Sequence, residues 1–165
     1  MKWPLVLTLL VGALLILRIV FVWDQLPEQM ASHYGVSGRP DGFMSKDGFF
    51  GFLILVAGGS VAALFVTPLL MLRILPKSLI NIPNRDYWMA DEKRWKAATG
   101  RMSGLLGWMG FLTALFIAIV VELVLQSNLT RTNLNNPAFL TCLGVYMVLM
   151  IAGSLWIQRA FRMPE

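Results

Sequence analysis

Trp3-Pro-Leu-Val-Leu-Thr-Leu-Leu-Val-Gly-Ala-Leu-Leu-Ile-Leu-Arg-Ile-Val-Phe-Val-Trp23 is apolar throughout but for one charge, Arg18. At 1.5 Å per residue it reaches about 30 Å as a helix, the thickness of a bilayer's hydrocarbon core. The indoles of Trp3 and Trp23 stand at its two ends, where the membrane–water interfaces favour them. The stretch therefore reads as a membrane-spanning helix. A cleaved signal peptide is the competing reading. Against it, the run is long, Arg18 interrupts it, and no small-residue cleavage site follows.

Three further runs have the same character. They cover about residues 49–72, 105–126 (interrupted by Glu122) and 138–157 (ended by Trp156). Hydrophobic residues make up 57% of the chain and charged residues 14%, and the mean hydropathy is +0.67. A soluble domain is nearer half apolar and a quarter charged. Inside lipid the backbone must satisfy its own hydrogen bonds, and without a pattern of alternating strands that means helices. The expected fold is an all-α integral membrane protein, a four-transmembrane-helix bundle, with residues 1–165 forming a single membrane domain.

Basic residues are distributed unevenly between the two ends of the spans. Lys2, Arg73, Lys77, Arg85, Lys93, Arg94, Lys96, Arg101, Arg159 and Arg162 fall on one side; Arg39, Lys46 and Arg131 fall on the other. The positive-inside rule makes the first side cytoplasmic, with both termini inside. The location expected is a membrane that borders the cytoplasm. The net charge of +5 then reflects topology and attraction to anionic lipid on the cytoplasmic side, not nucleic-acid binding. Cys142 stands alone inside the fourth run and reads as a packing residue. Asn128-Leu-Thr130 matches a glycosylation sequon on the outward side.

Small residues line the third run: Ser103, Gly107, Gly110, Ala114 and Ala118 recur at helical spacing. Such a face lets helices approach closely. It serves either packing within the bundle or an oligomer or partner-subunit contact. Pro68 reads as a bend in the second span.

Arg18 and Glu122 sit at similar depths, roughly 6–8 Å below the outward interface. Opposite charges at one depth in lipid are expected to pair across the bundle. Snorkelling of each to the headgroups, or a proton relay, are the alternatives.

Between the first two spans, residues 24–47 form a turn-rich loop expected to be structured and extracytoplasmic. Met30 to Tyr34 is short enough to be extended, giving a hairpin-like cap. Arg39-Pro40-Asp41-Gly42 has the Pro and Gly placement of a type I turn. His33 is the only histidine. Asp24, Glu28, Asp41 and Asp47 lie near it in sequence, but no spacing matches a metal-ligand pattern, so no metal or cofactor is expected. No Ser-His-Asp, Cys-His or phosphate-binding glycine arrangement occurs. His33, Tyr34, Arg39, Asp41 and Lys46 are the candidate partner-binding residues of the loop.

A second candidate tract lies between spans two and three. Asn84, Arg85, Asp86, Tyr87 and Trp88 offer more specific chemistry than lipid anchoring needs. Asp91 and Glu92 suit a helix's first turn. A juxtamembrane helix over about 86–101 is expected, with Trp88 and Trp95 seven apart on one face at the headgroups. A solvated helix and a docking site for a cytoplasmic partner are the other readings.

The loop residues carry a resemblance. Leu26-Pro27, His33-Tyr34-Gly35, Gly38-Arg39-Pro40-Asp41-Gly42-Phe43 and Ser45-Lys46 resemble the signature of a bacterial membrane-domain family of unknown function. That domain is found at the N-terminus of SdpI-type immunity proteins. The resemblance covers about residues 5–60, and Asn81–Trp88 resembles a tract that follows the second span in some members. It implies help in resisting a secreted toxin and relay of its presence to a repressor at the membrane. Such immunity proteins have about six spans where this chain has four. The residues thus point to a non-enzymatic accessory subunit, or an immunity or sensor-like module whose outer loop recognises a peptide or membrane partner. The other class is a small transporter or membrane enzyme using Arg18, Glu122 and the loop acids. Polar side chains in the spans are sparse for a conduction route, which normally needs buried polar groups along its whole length, and this favours the first class.

Overall fold

A computed structural model describes residues 2–74, 76 and 79–163, excepting the side chains of 68, 69 and 71–73. Lys77, counted above among the basic residues, and the side chains of Arg73 and Pro68 lie outside the described residues. Helix α1 (Lys2–Val22) ends in one 3-10 turn, Trp23–Gln25. Strands β1 (Gln29–Tyr34) and β2 (Pro40–Ser45) form an antiparallel hairpin. The second span is α2 (Lys46–Leu53), a π-helical turn (Ile54–Gly58) and α3 (Gly59–Arg73). The short α4 (Arg85–Met89) precedes α5 (Glu92–Thr130), and α6 (Asn136–Ala160) completes the chain.

Four helical segments are long and apolar enough to cross a membrane. Their surfaces fit lipid: Leu17, Phe21, Leu140 and Val148 are mostly exposed, and no residue of α6 is buried. Without a solvent that expels apolar groups, close backbone approach must hold such helices together. The packing centres on α5, against which α1, α3 and α6 each lie. Part of the small-residue stripe is the contact with α3: Gly107 and Gly110 are buried, and a Cβ on Gly110 would meet the Phe65 ring at 2.7 Å.

The expected juxtamembrane helix over 86–101 is two helices. Ala90 and Asp91 break it, and the Asp91 carboxylate accepts the Arg94 N–H at 2.8 Å as an N-cap. From there α5 runs unbroken for 39 residues, about 58 Å. It therefore overshoots a bilayer core of about 30 Å at its basic end. Trp88 and Trp95 consequently belong to different helices and do not share one helical face.

Two apolar clusters hold the ends. On the hairpin side Val22, Leu26, Met30, Phe50, Val121 and Leu125 pack together. On the basic side Ile80, Ile82, Trp88, Ala98 and Phe161 do so. Trp88 is 3% exposed, so it is a core residue and not an indole in the headgroups.

Candidate functional site

The hairpin forms a cap over one end of the bundle. Its turn lies at Gly35–Gly38, where the Gly38 N–H donates to Gly35 O at 2.8 Å and the Gly35 N–H donates to Arg39 O at 2.9 Å. Pro40 and Gly42, read above as turn residues, belong to β2. Pro40 tolerates this place because it is the strand's first residue. The strands pair Gln29 with Ser45, Met30 with Met44, Ala31 with Phe43, His33 with Gly42 and Tyr34 with Pro40, with irregularities around His33.

One side chain at the end of α5 fastens this cap. Asn128 Oδ1 accepts the Ala31 N–H at 2.7 Å, and Asn128 Nδ2 donates to Ala31 O at 3.1 Å. The amide thus pairs with β1 as a neighbouring strand residue would. Its Nδ2 also lies 2.9 Å from Val124 O and 3.3 Å from the Tyr34 hydroxyl. Asn128 is 5% exposed, so the sequon asparagine is a buried structural residue. Burial pushes the Tyr34 phenol up, while hydrogen bonds with Ser127 and Asn128 oppose this. The stability gained is present below the ordinary tyrosine value of about 10 and is lost only as alkali takes the pH through the raised folded value.

The turn docks separately on the α5–α6 connection. The Leu134 N–H donates to Gly38 O at 2.9 Å, and Asn136 Nδ2 donates to Val36 O at 2.6 Å. Gly38 has φ +77, and a Cβ there would lie 2.8 Å from Leu134 O. Both facts demand glycine. Gly38→Ala is expected to weaken turn docking by about 1–2 kcal/mol, read as faster amide exchange over residues 35–39 with the spans unchanged.

Of the loop candidates, Tyr34 and Lys46 are turned to structural work. The Lys46 ammonium lies 3.0 Å from Glu28 Oε1 and 3.4 Å from Trp23 O, and 4.9 Å from the centre of the Trp23 ring. It ties the start of α2 to the end of α1. His33, Arg39 and Asp41 stay exposed. His33 Nδ1 meets Asp41 Oδ1 at 2.5 Å. Val36 is fully exposed and Phe43 is 60% exposed.

Below the cap, Arg18 and Glu122 meet. Nε and Nη2 of Arg18 each lie 3.0 Å from a different oxygen of Glu122, a two-pronged ion pair between α1 and α5. Gln126 Nε2 adds a donor to Glu122 Oε1 at 3.2 Å. The side chains keep 35% and 32% exposure.

Two apolar clefts flank the second span beneath the cap. One, of about 550 Å³, opens toward α1 and is lined by Thr8, Trp23 and Phe50 among others. The second, of about 690 Å³, lies between the second span, α5 and α6, with Ser32 and His33 at its roof and Thr113 and Tyr146 deep within. The two hydroxyls are 3.1 Å apart, and the Tyr146 ring stacks on Phe116. Among the described residues no group of three or more His, Cys, Asp or Glu gathers as metal ligands would.

At the basic end the second candidate tract clasps the end of α6. Asn84 Nδ2 and Trp88 Nε1 both donate to Phe161 O, at 2.8 and 2.9 Å, and Arg101 donates to Ala160 O. Arg101 also stacks over Trp88, and Arg94 over Tyr87. These donors satisfy carbonyls that a helix C-terminus leaves open. Asp86 remains exposed, while Arg85 and Tyr87 are half-buried. Trp88→Phe keeps the ring packing but removes one donor. The expected loss is about 1 kcal/mol, read as a lower melting temperature in detergent, and adding Asn84→Ala deepens it.

Sequence reasoning passed over Leu134 and Asn136, and it met Asn128 only as a sequon residue and Gly38 only as a loop glycine; all four hold the cap in place. A helical signal for Asn128 does exist: it follows Val121 and Leu125, both buried, at the spacing of one helix face.

Residues 6–57 match the model of a family described as a domain of unknown function, DUF1648. The matched residues take in most of α1, the whole cap and the first part of the second span; the 81–88 tract lies outside them. No curated protein and no solved structure matches the chain.

Proposed function

We propose that this chain is a non-catalytic membrane recognition module. Its spans hold a rigid cap, and the outward face of that cap binds a peptide or the exposed part of another membrane protein. One observation carries the reading: the cap's two faces divide their work. Asn128, Tyr34, Lys46, the Leu134 N–H and the Asn136 side-chain amide fasten the inward face, whereas Val36, Arg39 and Phe43 stand exposed. Exposed apolar and charged groups on a pre-organised scaffold are what interfaces use, because little ordering entropy remains to be lost on binding. Arg18 and Glu122 neutralise each other, which favours a bracing role over a relay. The resemblance to the N-terminal part of SdpI-type immunity proteins supports an immunity or sensor-like role, or that of an accessory subunit. The basic-residue asymmetry supports an orientation with the cap outside and both termini inside, and the resemblance to a bacterial membrane-domain family supports a bacterial cytoplasmic membrane.

A photo-crosslinking residue at Ser45, used in native membranes, tests this. The expected result is a discrete crosslinked partner that disappears in an Arg39→Ala/Phe43→Ala variant while the spans stay folded. Purified protein that alone moves or transforms a solute in liposomes, and stops on Glu122→Ala, would overturn it in favour of a transporter or enzyme.

A further inference from the structure

We infer that the cleft between the second span and α6 holds one chain of a phosphatidylethanolamine-type lipid, its head group seated against His33 and Asp41. The inference goes beyond the recognition role and stands on different observations. Along α5 the cleft wall runs from Thr113 to Val124, and along the second span from Phe49 to Ser60. Each stretch is about 16 Å long, half the hydrocarbon thickness of about 30 Å. The cleft is therefore one leaflet deep, starting at the cap.

The cleft's volume of about 690 Å³ is in the range of pockets for single small molecules. The deep end asks for no polar ligand, since Thr113 and Tyr146 face each other and Ser60 Oγ donates to Val56 O at 2.7 Å. Phe49, Phe52, Val56, Phe116 and Val120 make the middle apolar.

The cap supplies the head-group chemistry. His33 is at the roof of this cleft and hydrogen-bonds Asp41 through Nδ1, leaving Nε2 outside that bond. Their side chains are 76% and 53% exposed. An imidazole that gives its Nδ1–H to a carboxylate presents Nε2 as an acceptor, and the carboxylate is a second acceptor; an ammonium can meet both. Phosphoethanolamine carries that ammonium. Phosphocholine has no N–H for Asp41, and phosphoglycerol has no cation. The α1-side cleft lacks this chemistry, because the Lys46 ammonium near it is already held by Glu28 and Trp23.

The test uses purified full-length protein in nanodiscs of phosphatidylethanolamine and phosphatidylcholine, each in turn carrying a diazirine in its chain. Expected is several-fold stronger labelling from phosphatidylethanolamine, mapped to Phe52, Phe116 or Val120. Val56→Trp, at an exposed cleft position, should cut labelling by both lipids several-fold. Asp41→Asn should abolish the preference while chain labelling persists. Equal labelling by both lipids in the wild type, or labels confined to α1 and the outer face of α6, would overturn the assignment. So would a preference for phosphatidylglycerol when that lipid is substituted. No partner protein enters this experiment, so its failure and that of the recognition role are separable.

Discussion

Glu122→Ala is expected to destabilise the folded chain by about 2–3 kcal/mol, the scale of an uncompensated arginine in a membrane helix. The substitution leaves Arg18 on α1 without the carboxylate that two of its nitrogens now contact. Partial exposure of both side chains lets Arg18 rise toward the interface, which keeps the cost from being larger. Arg18→Leu should cost less, because a lone carboxylate near the cap end can take a proton or draw on Gln126. The double variant Arg18→Leu/Glu122→Leu should be close to wild type, since replacing both members of an ion pair by apolar groups is often neutral. Denaturant titration in mixed micelles gives the four free energies of this cycle. Strict additivity would show that the pair contributes nothing as a pair.

That contact was legible because position in a span is a physical coordinate: two opposite charges at equal depth have few neighbours other than each other. Span number was legible for the same reason, as uninterrupted apolar runs of the bilayer's length leave little choice. Features resting on remote contacts were not. Pro40 and Gly42 look like turn residues over four positions, yet pairing of Met30 with Met44 and Ala31 with Phe43 draws them into a strand. The π-helical turn at Ile54–Gly58 has no signature in its residues, although glycines at 58 and 59 lower local helix preference. The glycines at 100, 104 and 107 lower local helix preference where the juxtamembrane tract meets the third span. Helix α5 passes through all three because packing and lipid, not propensity, set its length.

Continuity of α5 gives the fold a common axis. One helix carries Ala98 in the basic-side cluster, Gly110 under Phe65, Glu122 facing Arg18 and Asn128 under the hairpin. The three other spans meet it and leave clefts between themselves. The cap lies across one end of this arrangement, so its position depends on where α5 ends. Arg131, in the left-handed region at φ 54, terminates the helix one turn beyond Ser127, whose hydroxyl donates to Thr132 O at 2.6 Å.

Asn128→Leu should therefore release the cap while leaving the spans assembled. Leucine preserves bulk and helix preference, but it offers Ala31 neither acceptor nor donor. Ala31 is 5% exposed, so its N–H and C=O cannot turn to water without the hairpin moving. Each buried group left unpaired costs about 1–3 kcal/mol, which puts the loss of docking near 3 kcal/mol. At about 1.4 kcal/mol per tenfold change, amide exchange at Ala31 should accelerate on the order of a hundredfold. Asn128→Asp keeps the acceptor for the N–H but sets a carboxylate oxygen against Ala31 O, so it should rescue little. Exchange in α1 and around Phe161 should not change, because the Arg18–Glu122 pair and the basic-side cluster do not touch Asn128. Unaltered protection of Ala31 in the leucine variant would mean that strand pairing and the Leu134–Gly38 bond hold the cap alone, and that the amide only fills space between β1 and α5.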